Sequence, residues 1–245
     1  MNSLSKIKAK YIKSLQHKKS RIQEGKFIVE GSKSVREFLQ SDYVVEEVVA
    51  TNDFYHEIDH NLLPDSVYLT NADELAALGT FKTNKAALAI VHTKLQTILK
   101  KSTKEVMLAL DNINDPGNLG TIIRIADWYG IDKLILNDNS VEVYNPKVVS
   151  ASKGSLTRVN IYNLNLAVFL ADYQGDVFAA DLVGEPLNLI EPINSGVLLM
   201  GSESHGISDA LTPYITKKIT IPGRGGAESL NVAVATGIIC NHLLA

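Results

Sequence analysis

VMLALDNINDPGNLGTIIRIADWYG, residues 106–130, sets the pattern from which the fold of this chain is read. Val106 to Leu110 is a continuous apolar run of strand length, as expected of a strand covered on both faces. Polar, turn-forming residues follow, and from Leu119 to Tyr129 the apolar period becomes helical, with Leu119, Ile122, Ile123 and Ala126 on one stripe. At about 100° per residue, Arg124 points away from that stripe and shares a face with Gly120, Thr121 and Asp127. The alternation continues with strands at Lys133–Leu136, Val177–Ala180, Val197–Met200 and Ile219–Ile221, and helices at Leu164–Tyr173 and Leu230–Leu244. Apolar strands separated by helices predict an α/β domain with a parallel sheet, whose ligands bind beyond the carboxyl ends of the strands.

Three strand ends carry residues suited to chemistry. The first leads through Asn118 into the helix bearing Arg124. An ordinary surface arginine there would pair with Asp127 one turn on. The second, VLLMGSESHGIS at 197–208, runs a buried strand into Gly201, Glu203 and Gly206, where a missing side chain lets a ligand approach the main chain. In the third, ITIPGRGGAESLNVAVA at 219–235, a strand enters a glycine-rich loop and then a helix for which Ser229 is the expected N-cap. Gly223, Gly225 and Gly226 match neither GxGxxG nor GxxxxGK[ST], so neither a dinucleotide fingerprint nor a phosphate loop is supported. A loop shaped for an organic ligand remains.

Upstream, short strands at Phe27–Val29, Val44–Ala50, Val67–Leu69 and Ala86–His92 alternate with helices at Ser32–Leu39 and Ala72–Leu78, which makes a second, smaller α/β domain. A lysine-rich stretch from Lys94 to Lys104 places the boundary near residues 95–104, dividing the chain into 1–100 and 105–245. The opening segment, Leu4 to Arg21, reads as one basic helix with Ile7, Tyr11, Ile12 and Leu15 on its apolar stripe. Residues 1–40 hold ten Lys and Arg against three Asp and Glu, a net +7, while the remainder is −10 and the whole chain −3. A basic stretch on an acidic chain points to a polyanion contact, or else to a solvated helix face.

The 245 residues, 45% apolar and 21% charged, can bury a core without disulfides, and the lone Cys240 in an apolar stretch reads as a small buried hydrophobe. No run approaches bilayer-spanning length and no signal-peptide core follows Lys6, Lys8 and Lys10, so a cytoplasmic protein without a membrane partner is expected. His56 and His60 have i, i+4 spacing, but their surroundings do not argue for a metal, and none is expected.

Taken in order, the three motifs resemble the SpoU (TrmH) family of RNA ribose 2′-O-methyltransferases, of the SPOUT class. N-x-G-x-x-x-R-x-A is matched by Asn118, Gly120, Arg124 and Ala126. An apolar strand with G-x-E-x-x-G is matched by Leu198 to Gly201, Glu203 and Gly206, and I-P-M-x-G-x-x-x-S-L-N-V by Ile221, Pro222, Gly225, Ser229, Leu230, Asn231 and Val232. Gly223 stands where Met is common. The resemblance covers roughly residues 105 to 245 and implies a trefoil knot, a homodimer and S-adenosylmethionine as cofactor. It places main-chain groups of Gly201, Ile221 and Leu230 on the cofactor and Arg124 at the reacting hydroxyl, as a phosphate clamp or as a base. Asn118, Glu203, Ser229 and Asn231 would orient Arg124, the loops or the ribose. The first hundred residues look like the ribosomal-protein L30-type substrate-binding domain that precedes many such enzymes, with Lys13, Lys18, Lys19 and Arg21 on RNA phosphates. Ribosomal RNA is the expected substrate. Transfer RNA, a noncatalytic ribosome-assembly protein on the same fold, and another nucleotide-dependent enzyme are the alternatives.

Overall fold

The computed structural model describes residues 2–94, 99 and 102–244 and divides the chain into two compact units, Met1–Leu95 with Glu142–Thr157, and Gln96–Val141 with Arg158–Ala245. The expected boundary at 95–104 falls largely outside the described residues. Residues 142–157, which the sequence places in the stretch 105–245, group with the first unit by their contacts.

The first unit contains β1 (Asn2–Ser3), α1 (Lys6–Ser14), α2 (Lys18–Glu24), β2 (Lys26–Glu30), α3 (Ser32–Leu39), β3 (Val45–Ala50) and α4 (Asn52–Glu57). It continues with β4 (Ser66–Leu69), α5 (Ala72–Leu78) and β5 (Ala87–His92). Its sheet has the order β1-β4-β3-β5-β2, with β5 antiparallel to both neighbours and the other pairs parallel. Ile12, Leu15, Ile28, Val49, Leu75, Leu88 and Ile90 form the core. Glu142–Thr157 joins this unit because Tyr144 stacks on Phe27 with ring centroids 4.4 Å apart. Within the same segment, Glu142 pairs with Arg21.

The expected single basic helix is two. Ile12 and Leu15 are fully buried, but Ile7 is 84% exposed and drops out of the stripe. The chain breaks between Ser14 and Lys18, and the buried Arg21 closes that break by donating from Nη1 to the carbonyls of Leu15 (3.0 Å) and Gln16 (2.8 Å).

In the second unit β6 (Val106–Leu110), α6 (Pro116–Trp128) and β7 (Lys133–Leu136) come before the excursion that carries α7 (Pro146–Ser152) into the first unit. Then follow β8 (Asn160–Asn163), α8 (Leu166–Ala171), β9 (Val177–Pro186), β10 (Gly196–Met200), β11 (Lys217–Thr220) and α9 (Val232–Leu243). All six strands are parallel in the order β11-β9-β10-β6-β7-β8, as the continuous apolar runs predict. Met107, Ala109, Ile135, Phe169, Val197 and Leu199 anchor the core on one side, and each fully buried large side chain contributes about 1.5–3 kcal/mol.

The helical stripe of α6 holds: Leu119, Ile122, Ile123 and Ala126 are all fully buried. The helix begins three residues before the apolar period shows it, because Asp115 caps it by accepting from Asn118 N (2.8 Å) and Pro116 occupies the first turn. Among the described residues no helix is long and apolar enough to cross a membrane.

Candidate active site

β6 and β10 are neighbours at the centre of the parallel sheet, and their carboxyl ends deliver two of the three motifs to one place. After β10 the chain turns back within five residues, Ser202 and Gly206 exchanging main-chain hydrogen bonds of 2.9 and 3.0 Å. A Cβ on Gly201 would lie 2.3 Å from the carbonyl carbon of Gly206, so the fold requires glycine at 201. This tight loop presents Glu203.

The third motif arrives from the sheet edge. Asn231 caps α9, its Oδ1 accepting from Ala233 N (3.0 Å) and Val234 N (3.3 Å). Its Nδ2 donates to Asn118 Oδ1 (2.9 Å) and Glu203 Oε1 (3.1 Å), while Asn118 Nδ2 donates to the same Glu203 oxygen. One residue from each motif therefore meets in a single network, with the carboxylate receiving both amides. The cap expected at Ser229 sits two residues later, where an Asn side chain reaches the open N–H groups of the first turn. Ser229 is exposed and makes no hydrogen bond among the described residues.

Arg124 lies two helical turns beyond the start of α6, exposed, its guanidinium in no ion pair or hydrogen bond among the described residues. The ordinary pairing with Asp127 does not form. Arg158 takes Asp127 instead, with Nε and Nη2 each 2.9 Å from a carboxylate oxygen. A guanidinium is a permanent cation with a planar fork of donors, so an exposed, unpaired one is a ready anion site.

The expected cofactor contacts lie on the same side of the sheet. Gly201 and Ile221 are half-buried and Leu230 is 48% exposed. From Pro222 to Leu230 the chain forms no main-chain hydrogen bond to another main-chain group among the described residues. A Cβ on Gly223, Gly225 or Gly226 would meet nothing within 4 Å, and none of the three needs a positive φ. Packing thus does not demand these glycines. What they leave is open main chain with free donors and acceptors, which fits a polar organic cofactor lying along the backbone.

Sequence reasoning passed over Asp111, which is 2% exposed and accepts hydrogen bonds from Ser208, Asn112 and Asn137 at the carboxyl end of β6. A charged residue placed directly after a wholly buried apolar strand is the signal that marks it.

In the first unit Lys13, Lys18 and Lys19 are exposed, as a phosphate contact requires. Arg21 is not. It is 2% exposed, its Nε is 3.1 Å from Glu142 Oε1, and its remaining donors are spent on carbonyls and the same carboxylate, so it is a structural residue rather than an RNA contact. A cavity of about 350 Å³ opens elsewhere on this unit, lined by Gly31, Ser32, Asn84 and the exposed Lys85 and Lys153.

Residues 105–241 match the SpoU rRNA Methylase family, and residues 6–89 match an MRM3-like substrate binding domain. The 23S rRNA (guanosine(2553)-2′-O)-methyltransferase RlmP of Bacillus subtilis is 30% identical over 99% of this chain and 98% of its own length. Among solved structures, an AdoMet-bound rRNA methyltransferase from Sinorhizobium meliloti is similar with a TM-score of 0.87 at 27% identity, covering 99% of this chain and 96% of that one. A TrmH-family structure from Porphyromonas gingivalis gives 0.86 at 33% identity over 99% and 98%. With the family match spanning the whole three-motif domain and relatives similar from end to end, the chain belongs to the SpoU rRNA methylase family, and it is an RNA methyltransferase that uses S-adenosylmethionine.

Proposed function

We propose that this enzyme methylates a ribose 2′-hydroxyl in ribosomal RNA. The observation that carries the reading is the meeting of Asn118, Glu203 and Asn231 on the helix that offers an unpaired, exposed Arg124. The names of the relatives, 23S rRNA 2′-O-methyltransferases among them, favour rRNA over tRNA.

When bound, S-adenosylmethionine supplies an electrophilic methyl group. The chain's part is to hold and orient. Main-chain groups at Gly201, Ile221 and Leu230 bind the cofactor along the open loops. Arg124 clamps the phosphate beside the target ribose and turns its 2′-oxygen in line, leaving the hydroxyl proton to pass to water as the new bond forms. Glu203, fixed by two amides, keeps the loop that carries it in register with α6. Held this way, the reactants gain rate from proximity and alignment.

Lys13, Lys18 and Lys19, with Lys85 and Lys153 at the cavity, hold RNA phosphates without reading sequence. The active form is a homodimer, which covers the apolar residues that α6 and α9 leave in water, and the C-terminal segment is threaded in the family's trefoil knot.

The test is transfer of radiolabelled methyl to separated rRNA and tRNA pools from a strain lacking the protein, with the modified position mapped. Label on one rRNA ribose supports the proposal; label on a base, or on tRNA alone, sinks it. Arg124→Ala is expected to abolish transfer while the Kd for S-adenosylmethionine stays near that of the unaltered chain. Near-normal turnover by that variant removes Arg124 from the mechanism.

A further inference from the structure

We infer that Asp111 is a positioning residue for methyl transfer. Its buried carboxylate fixes the register between the segment that starts α6, which carries Asn118, and the Gly201–Ser208 loop, which carries Glu203. The inference rests on the reading of that cluster as the active site.

Asp111 Oδ2 accepts from Ser208 N at 2.7 Å, and Oδ1 accepts from Asn112 Nδ2 at 2.9 Å and Asn137 Nδ2 at 2.8 Å. Every one of these donors is neutral. Burying a carboxylate on amide and main-chain donors alone is a costly way to hold a sheet together, and an apolar side chain, like those filling the rest of β6, would serve packing better. What the carboxylate does that an apolar group cannot is bind separate segments at fixed points.

Those segments are the ones that matter for the site. Asn112 adopts a positive φ of 57° directly after β6, and its N–H donates to Asn137 Oδ1 at 3.1 Å while its Nδ2 also reaches Ser208 Oγ at 3.1 Å. Ser140 completes the ring, donating from Oγ to Asn137 Oδ1 (2.7 Å) and accepting from Ile113 N (3.1 Å). Three residues beyond Asn112 stands Asp115, the cap of α6, and Asn118 follows in its first turn. On the other side, Ser208 ends the loop whose tight turn presents Glu203. The ring and the Asn118–Glu203–Asn231 cluster thus clamp the same two segments at two places. Released at the ring, the loop can slide relative to α6, and Gly201's main chain moves with it.

Asp111→Asn keeps the shape but puts an NH₂ where one carboxylate oxygen stood, so either Ser208 N–H or the two amides meet a donor. Misplacement of about an ångström remote from the reacting atoms can cost roughly a hundredfold, so we expect kcat and S-adenosylmethionine affinity to fall about ten- to a hundredfold. Circular dichroism and the urea midpoint establish that the variant is folded at the assay temperature, and filter binding to total rRNA is expected to stay unchanged. The double variant Asp111→Asn/Asn137→Asp returns one amide and one carboxylate to the pair and is expected to recover part of the cofactor affinity. Ser208→Pro tests the same link from the loop side: Ser208 has a φ of −61° that proline adopts, and the change removes both the N–H given to Asp111 and the Oγ that accepts from Asn112 Nδ2. It is expected to weaken cofactor binding in the same direction.

Folded Asp111→Asn and Ser208→Pro variants with unaltered Kd and kcat, differing only in urea midpoint, overturn the positioning role and leave the methyltransferase reading intact. Failure of the unaltered chain to bind S-adenosylmethionine overturns both.

Discussion

Asn231 does two jobs with one side chain, and they can be separated. Its Oδ1 caps α9 and its Nδ2 ties Asn118 to Glu203. Asp caps as well as Asn, whereas Ala costs about 1 kcal/mol of stability. Asn231→Asp is therefore expected to keep the urea midpoint near that of the unaltered chain, yet to set a second carboxylate against Glu203 and lose methyl transfer. Asn231→Ala should lose both. Equal activity in the Asp variant and the unaltered chain would show that the Nδ2 donors are dispensable. At this scale the sequence is informative where a residue belongs to a motif and silent where it belongs to a ring. Asn118, Arg124, Glu203 and Asn231 are legible from spacing and resemblance. The ring of Asp111, Asn112, Asn137, Ser140 and Ser208 is assembled from three strand ends far apart in the chain, so no local period reveals it. Cys240 is as its apolar neighbours suggest: fully buried, with burial pushing its thiol up to about 12 and leaving it inert.

Elements whose apolar period is complete were readable to within a residue or two: β6, β7, α3 and α5 run as expected. Those bounded by capping rather than periodicity were not, as the early start of α6 at Pro116 shows. The basic N-terminal segment differs for another reason. Charge alone cannot distinguish an arginine that faces water from one that closes a helix break, and Arg21 closes the break between α1 and α2 through carbonyls and Glu142. The two kinds of residue make opposite predictions. Arg21→Ala leaves Glu142 without its cation in a poorly hydrated place and is expected to cost about 3 kcal/mol in urea unfolding. The double variant Lys18→Ala/Lys19→Ala is expected to leave stability unchanged within about 0.5 kcal/mol. It should weaken RNA binding and lower the slope of affinity against salt by about two counterions. An Arg21→Ala chain of full stability but weakened RNA binding would restore Arg21 to the interface.

At the scale of the whole molecule, the division into a substrate-binding unit that opens with a basic segment and a parallel-sheet catalytic unit follows from charge and periodicity, but the grouping of residues 142–157 with the first unit does not. Its determinants are pairwise and distant, such as Tyr144 on Phe27. α9 buries Val232, Ala233, Thr236, Ile239, Cys240 and Leu243 on one side. On the other, Val234 is 53% and Ile238 39% exposed, one turn apart, and Trp128 at the end of the adjoining α6 is 82% exposed. Exposed apolar side chains on two packed helices suit a self-complementary contact, for which about 800 Å² per partner is the usual need. A two-fold contact here would bring both copies of the α9 N-terminus, and with it Asn231, near the interface, so assembly and activity should fall together. Ile238→Glu separates assembly from folding, because a partly exposed position can solvate the new carboxylate in a monomer but not in a closed dimer. Light scattering is expected to give a dimer for the unaltered chain and a monomer for Ile238→Glu, with an unchanged circular dichroism spectrum and strongly reduced methyl transfer. A monomeric unaltered chain at assay concentration, or a fully active monomeric variant, would show that one chain suffices and that the exposed face of α9 serves some other contact.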